Sequence, residues 1–249
     1  MAKQKGIIPI IGTLGELTFV KTKDGYLVKT RTTLTKERIM KDPAFARTRE
    51  NMTEFSEAAH DGKLLRTALH VYMANAKDGR VTSRLTKLMR AILKLDGGSI
   101  RGRRSVGTAI VLPTAMATLQ GFNFNIKSVL TQVLLVPYVL TPATGVITIN
   151  NLFPTNDIIP PTGATDFTLQ AIWGKVDFVN KVYNVQSSPA VHVALTAPAA
   201  TITLTPTTAP TGTGTNVYLL LIQFYQMVNT VEYVLHSGTF NSLAIVGVA

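Results

Sequence analysis

The sequence predicts an α+β protein: an N-terminal β-hairpin plus a small helical bundle, then an all-β sandwich or jelly-roll-like domain. Three observations predict it. Charge is divided unevenly along the 249 residues, whose formal net charge is +11. Residues 1–105 hold 22 of the 25 Lys and Arg against 10 of the 14 Asp and Glu, a net of +12, whereas residues 106–249 hold 3 against 4, a net of −1. Seven charges in 144 residues is far below the roughly 25% of an ordinary soluble domain. Apolar residues recur at helical spacing before residue 96, and β-branched runs punctuated by Pro, Gly and Asn follow it. The expected organisation is a basic hairpin and helical domain at residues 1–100, a Gly/Arg linker at 101–105 and a low-charge β-sandwich domain at 106–249.

The first elements are short strands between Gly6 and Thr33. Ile7, Ile8, Ile10 and Ile11 lead into the turn Gly12-Thr13-Leu14-Gly15. Leu17–Lys21 pairs with Tyr26–Thr30 across Lys23-Asp24-Gly25, because Asp-Gly supplies the positive φ of a tight hairpin. A helix starts at Asp42-Pro43, an N-cap followed by proline at the first helical position. Phe45, Met52, Phe55 and Ala59 form its expected apolar stripe, Gly62 ends or kinks it, and Lys63–Lys77 continues helically.

The basic segment Arg80–Ser105 organises the remainder. Wound as a helix, it places Val81, Leu85, Leu88, Ile92 and Leu95 on one side and Arg80, Arg84, Lys87 and Lys94 on the other. Gly97-Gly98 stops the helix, and Arg101, Arg103 and Arg104 follow. With Arg90, that makes eight cations against the single acid Asp96. These eight are the candidate contact residues. They suit nucleic-acid phosphates, an acidic patch on a neighbouring subunit, or a merely solvated face. No aromatic residues interleave them, which argues against stacking on single-stranded bases.

The pattern Gly12-x-x-Gly15-x-x-Thr18-Phe19, the turn Lys23-Asp24-Gly25-Tyr26, and Asp42-Pro43-Ala44-Phe45-x-Arg47-Thr48-Arg49-Glu50-Asn51-x-x-Glu54-Phe55 resemble a family of uncharacterised bacterial proteins. The resemblance covers the first 70 residues best, and Phe224-Tyr225-Gln226-x-Val228-Asn229 is similar but weaker. It implies a basic N-terminal half and a strand-rich C-terminal half. It implies no activity and no site residues.

Beyond Val106, strands are expected at 106–112, 122–130, 133–140, 146–149, 167–173, 176–185, 191–195, 201–205, 217–225, 231–235 and 243–248. Gly174-Lys175 reads as a hairpin turn, and the Thr/Pro/Ala-rich tract 196–215 as a long surface loop or arm. Many short strands with regular turns indicate a sandwich or jelly roll.

No catalytic constellation emerges, and an enzyme is not expected. His60, His70, His192 and His236 are scattered, so no metal or cofactor is expected. Asp166 and Asp177 are turn or cap residues rather than an acid–base pair. Ser187, His192 and Asp177 form a triad only on paper, without a nucleophile-elbow context. Gly12-Thr13-Leu14-Gly15 and Thr211-Gly212-Thr213-Gly214 lack the Lys-Ser/Thr of a phosphate loop. Cysteine is absent, so disulfides and thiolate metal sites are excluded. The five-residue apolar run near the N-terminus is broken by Pro9 and falls short of a secretory signal, so synthesis in the cytoplasm is expected. The final location is left open between cytoplasm, virion and a released extracellular assembly. No stretch spans a membrane.

The expected function is a non-enzymatic structural protein that assembles with its own copies into a filament, tube or shell. In it a virion-like division of labour pairs a basic half with a neutral β half. The alternative is a nucleic-acid-binding protein that grips backbone phosphates without reading sequence. A carbohydrate or adhesion module suits the Thr/Asn-rich loops but lacks a cluster of exposed aromatics.

Overall fold

The computed structural model describes residues 2–4, 10–23, 25–31, 34–229 and 231–249. Ile7, Ile8 and Asp24 lie outside the described residues. The chain divides into two compact units, Met1–Glu50 and Asn51–Ala249.

The first unit holds an antiparallel sheet of β1 (Ala2–Lys3), β2 (Gly12–Leu14), β3 (Leu17–Thr22) and β4 (Gly25–Thr30), in the order β1-β4-β3-β2. The hairpin has the expected register, with Lys21 opposite Tyr26 and Thr22 opposite Gly25, which takes φ 111°. Helix α1 (Lys36–Lys41) is an addition to the expected elements. Thr35 caps it by accepting from the Arg38 amide at 3.2 Å. Asp42 caps the 3₁₀ turn Pro43–Phe45 in the same way, accepting from Ala44 N at 2.9 Å. Arg49 donates to the carbonyls of Ile39 and Asp42, both at 2.8 Å, and so holds the end of α1.

Helix α2 runs over Ala46–Ala68, and its residues from Asn51 on belong to the second unit. It does not bury the expected stripe. Met52 and Phe55 are each about half exposed, at 53% and 51%, and the buried positions are Glu54, Ala58, Asp61, Gly62, Leu65 and Ala68. The helix also passes straight through Gly62. A Cβ there would sit 3.7 Å from Leu85 Cγ, so the glycine lets the next long helix approach closely. After α3 (His70–Met73), α4 (Val81–Leu93) buries Val81, Leu85, Met89, Ile92 and Leu93. Met89 takes the place expected for Leu88, and Leu95 lies beyond the helix, exposed.

The rest of this unit is built on one sheet. In order, its elements are α5 (Val106–Ala109), α6 (Pro113–Leu119), α7 (Leu130–Val133), β5 (Tyr138–Thr141), β6 (Val146–Leu152), α8 (Pro154–Asp157), β7 (Asp166–Asp177), β8 (Val182–Ser187), β9 (Val191–Ala194), β10 (Ala200–Leu204), β11 (Thr215–Val228), β12 (Val231–Val234) and β13 (Ser242–Val248). The long antiparallel pair β7 and β11 is the centre. On its far side β7 carries β8 and β9, and β11 carries β13 and β12. A second sheet of three strands has the order β10-β6-β5.

Strand periodicity explains how the layers stack. Ile172, Val217, Leu219, Leu221, Leu243 and Ile245 share a core with the helical residues Leu65, Leu85, Met89, Ile92 and Leu119. Their neighbours Phe167, Leu169, Trp173, Tyr218, Leu220, Ile222 and Phe224 face Ile147, Ile149, Leu152 and Leu204 of the small sheet. The central sheet is therefore covered on both faces, by helices on one and by three strands on the other. This is an α+β arrangement with a sandwich-like half.

That packing places residues 101–105 inside the second compact unit, and helices and strands there share one core. The structure differs from the expected element assignments in several places: residues 133–140 are strand only from Tyr138, and the strand expected at 176–185 is broken by the turn between β7 and β8. Residues 106–112 are helical over Val106–Ala109, because Ser105 caps the turn through Thr108 N at 3.0 Å. Residues 122–130 form no full strand, but Gly121, Phe122 and Phe124 exchange backbone hydrogen bonds with Leu243 and Ile245 and cover the outer edge of β13. Gly174-Lys175 is no turn: β7 runs through it, with Gly174 paired to Val185 and Val217. The strand expected at 201–205 is present as β10 in the small sheet, so the tract 196–215 is not wholly a loop or arm, and its Pro206 and Pro210 are buried.

Candidate functional site

The basic segment 80–104 is split by the fold into cations with structural partners and cations left on the surface. Arg84 is the clearest of the first kind. Its guanidinium donates to Asn123 O at 2.8 Å and Phe124 O at 3.1 Å, pairs with Asp78, and lies 5.0 Å over the Phe122 ring. It anchors the loop 122–126 to α4. Asp78 completes the knot by accepting from Arg80 N at 2.6 Å and Ile126 N at 3.0 Å. Burial alone would raise the Asp78 pKa; those amides and Arg84 outweigh it and hold the carboxyl below its usual range.

The acid Asp96 faces inward as well. It is buried and accepts from the amides of Gly98, Ser99 and Ser105, at 3.1, 3.0 and 3.2 Å. Those bonds overcome burial and hold its carboxyl low. Asp96 thus shapes the Gly/Arg loop and does not offset the cations outside. Arg101 reaches Asn51 Oδ1 at 3.3 Å, and Gly102 N donates to buried Glu54 at 2.8 Å, so the loop is strapped to α2. Arg90 and Arg104 are half-buried, each with a buried Nε. Arg80, Lys87, Lys94 and Arg103 are exposed. The first three of these are spaced by seven and keep one face of the helix positive.

The other sequence candidates resolve into structural roles. Asp177 closes the β7–β8 turn, accepting from Val179 N, Asn180 N, Asn180 Nδ2 and Thr213 Oγ1 at 2.7–2.9 Å. Those bonds, led by the Asn180 amide, depress its pKa strongly. Asp166 and Asp177 sit at opposite ends of β7. His192 Nε2 meets Glu232 at 2.9 Å, and Ser187 Oγ accepts from Gln170 at 3.2 Å, so Ser187, His192 and Asp177 form no triad. Gly214, at φ 115°, presses on the backbone of Val176 and Asp177, which makes the Thr-Gly-Thr-Gly stretch a packing turn. The His236 side chain lies outside the described residues. Among the described residues no three His, Asp or Glu side chains converge as metal ligands would, and no helix is long and apolar enough to cross a membrane.

One partly buried charge cluster carries no sequence signal. Lys181, at φ 58° in the β7–β8 turn, bridges Glu57 at 2.5 Å and Asp61 at 2.6 Å on α2. Asp61 is fully buried, and its Oδ2 has no hydrogen-bond partner among the described residues. Burial pushes its pKa up to about 6, and the Lys181 bond opposes without reversing it. For Lys181 burial acts downward, and the bonds to Asp61 and Glu57 leave its pKa raised. The two directions compete within one pair. The carboxyl bears the cost because it alone is sealed from water, while the ammonium is shared with Glu57 and partly solvated.

The chain matches no protein-family model, no curated protein and no solved structure.

Proposed function

We propose that this chain is a non-enzymatic structural protein that assembles with its own copies into a filament, tube or shell. The supporting observation lies in the first unit: none of its described residues is buried, although they form a four-stranded sheet. Phe19, Val20, Leu27 and Val28 are half-buried, and Ile10, Ile11, Leu14 and Leu17 are 48%, 66%, 73% and 46% exposed. A sheet needs one covered face for stability. A second copy supplies such a cover at no cost in new sequence, and closed or helical self-assembly is the common outcome. Met52 and Phe55 on α2, and Val231, Tyr233 and Val234 on β12, leave further large apolar groups in solvent.

The test is light scattering after size exclusion, with negative-stain microscopy of the same fractions. The full chain should elute as a large species with ordered particles, and Leu14→Asp with Leu17→Asp should shift it to the monomer mass. A strictly monomeric full chain at high concentration, without particles, excludes assembly. The exposed face of Arg80, Lys87 and Lys94 favours nucleic acid as a second partner. It predicts an absorbance ratio at 260 and 280 nm that falls on nuclease treatment, and binding that weakens steeply with salt. Lys87→Glu with Lys94→Glu is the matching variant, because reversal at Arg84 would break the fold instead.

A further inference from the structure

The groove between the end of α2 and the start of α4 has a composition that the basic segment lacks. It encloses about 440 Å³ and is ringed by Lys63, Arg66, His70 and Lys77. Lys63 and Arg66 lie one turn apart on α2, His70 opens α3 just after the break at Leu69, and Lys77 comes from the loop leading to α4. Met73 and Val81, both buried, supply an apolar floor. Asp78 is the acid on the wall, and both its oxygens are taken, by the Arg80 and Ile126 amides and by Arg84. Its charge is therefore matched outside the groove, and the groove keeps three permanent cations and an imidazole.

Two of the four groups are held in place. Arg66 Nε donates to the Gly62 carbonyl at 3.2 Å, which lays the guanidinium along the helix, and His70 Nδ1 meets the Thr67 carbonyl at 2.9 Å. Thr82 also lines the groove, at the first turn of α4, a helix that starts with no side-chain cap. Its positive end adds to the same field.

We infer that this groove binds a small organic molecule carrying two or more phosphate groups. One phosphate would leave part of a cation set that runs from Lys63 to Lys77 unmatched, and the apolar floor suits the organic portion of the ligand. The volume falls within the roughly 300–1,000 Å³ of small-molecule sites. This inference is independent of self-assembly.

Isothermal titration of the full chain at low salt, with pyrophosphate and with ATP as probes, tests it. Saturable one-to-one binding of either probe is expected. Lys63→Ala with Arg66→Ala should weaken it at least tenfold. Lys87→Ala with Lys94→Ala removes equal charge elsewhere and should change it less than twofold. Lys77→Ala, at an exposed loop position that cannot disturb helix packing, should weaken binding about threefold and keeps the test valid if the first pair unfolds. The inference is overturned if neither probe gives saturable heat, if the two double variants weaken binding equally, or if only a single-stranded oligonucleotide binds.

Discussion

Arg84 shows why a run of cations does not by itself identify an interface. In sequence it is indistinguishable from Lys87, three residues on, yet one closes a partly buried knot and the other faces water. The difference depends on carbonyls 39 and 40 residues away, which no local pattern encodes. Arg84→Ala should destabilise the fold by about 2–4 kcal/mol in urea titration, because it leaves Asp78 and two carbonyls underpaired. Lys87→Ala should stay within about 0.5 kcal/mol. Asp61 gives a pH signature. With a folded pKa of about 6 and an unfolded one near 4, the folded chain holds a proton that the unfolded chain has released between those values. Stability from this group is therefore complete below about pH 4 and is lost as pH rises towards 6. The depressed carboxyls of Asp78, Asp96 and Asp177 act oppositely, losing stability as pH falls below about 4. The melting temperature should thus decline from pH 4.5 to 7, and Asp61→Asn should flatten that decline.

Elements were legible where their signals are local. The β3–β4 register follows from alternation and a turn glycine, and the 3₁₀ turn that leads into α2 follows from Asp42-Pro43, although α1 before it was not legible. Apolar facing was less legible on α2, whose buried side uses Ala58, Gly62, Leu65 and Ala68 while Met52 and Phe55 stay outside. Small residues carry little hydrophobic signal, yet they are what lets α4 come close. Gly62 can be tested directly. Its added Cβ meets Leu85 and Met89 at 3.7–3.8 Å, ordinary contact distances, in a helix interior where alanine is favoured over glycine. Gly62→Ala should raise stability by roughly 0.5–1 kcal/mol in chemical denaturation, while Gly62→Leu should lower it by about 2 kcal/mol through overpacking. Residues 106–130 defeated a strand assignment for a related reason. Their Val, Ile and Phe suit a strand locally, but a serine cap at Ser105 and a proline at Pro113 start helical turns that the apolar composition conceals.

At the scale of the molecule, the scarcity of charge after residue 105 has a local cause. β7, β11 and β13 are apolar at successive positions because helices cover one face and a second sheet covers the other. Low charge there reflects layering within one chain, so the case for assembly rests on the first unit instead. The α+β class was legible in sequence; the shared core was not, since it joins residues near 65–120 to residues near 245. That joining also sets an order of events during synthesis. The apolar sides of α2, α4 and α6 emerge early, while β11 and β13, which cover much of them, are made more than 90 residues after α6. A growing chain therefore carries an uncovered apolar surface until β11 and β13 have been made, and its helices complete their docking only after those strands emerge.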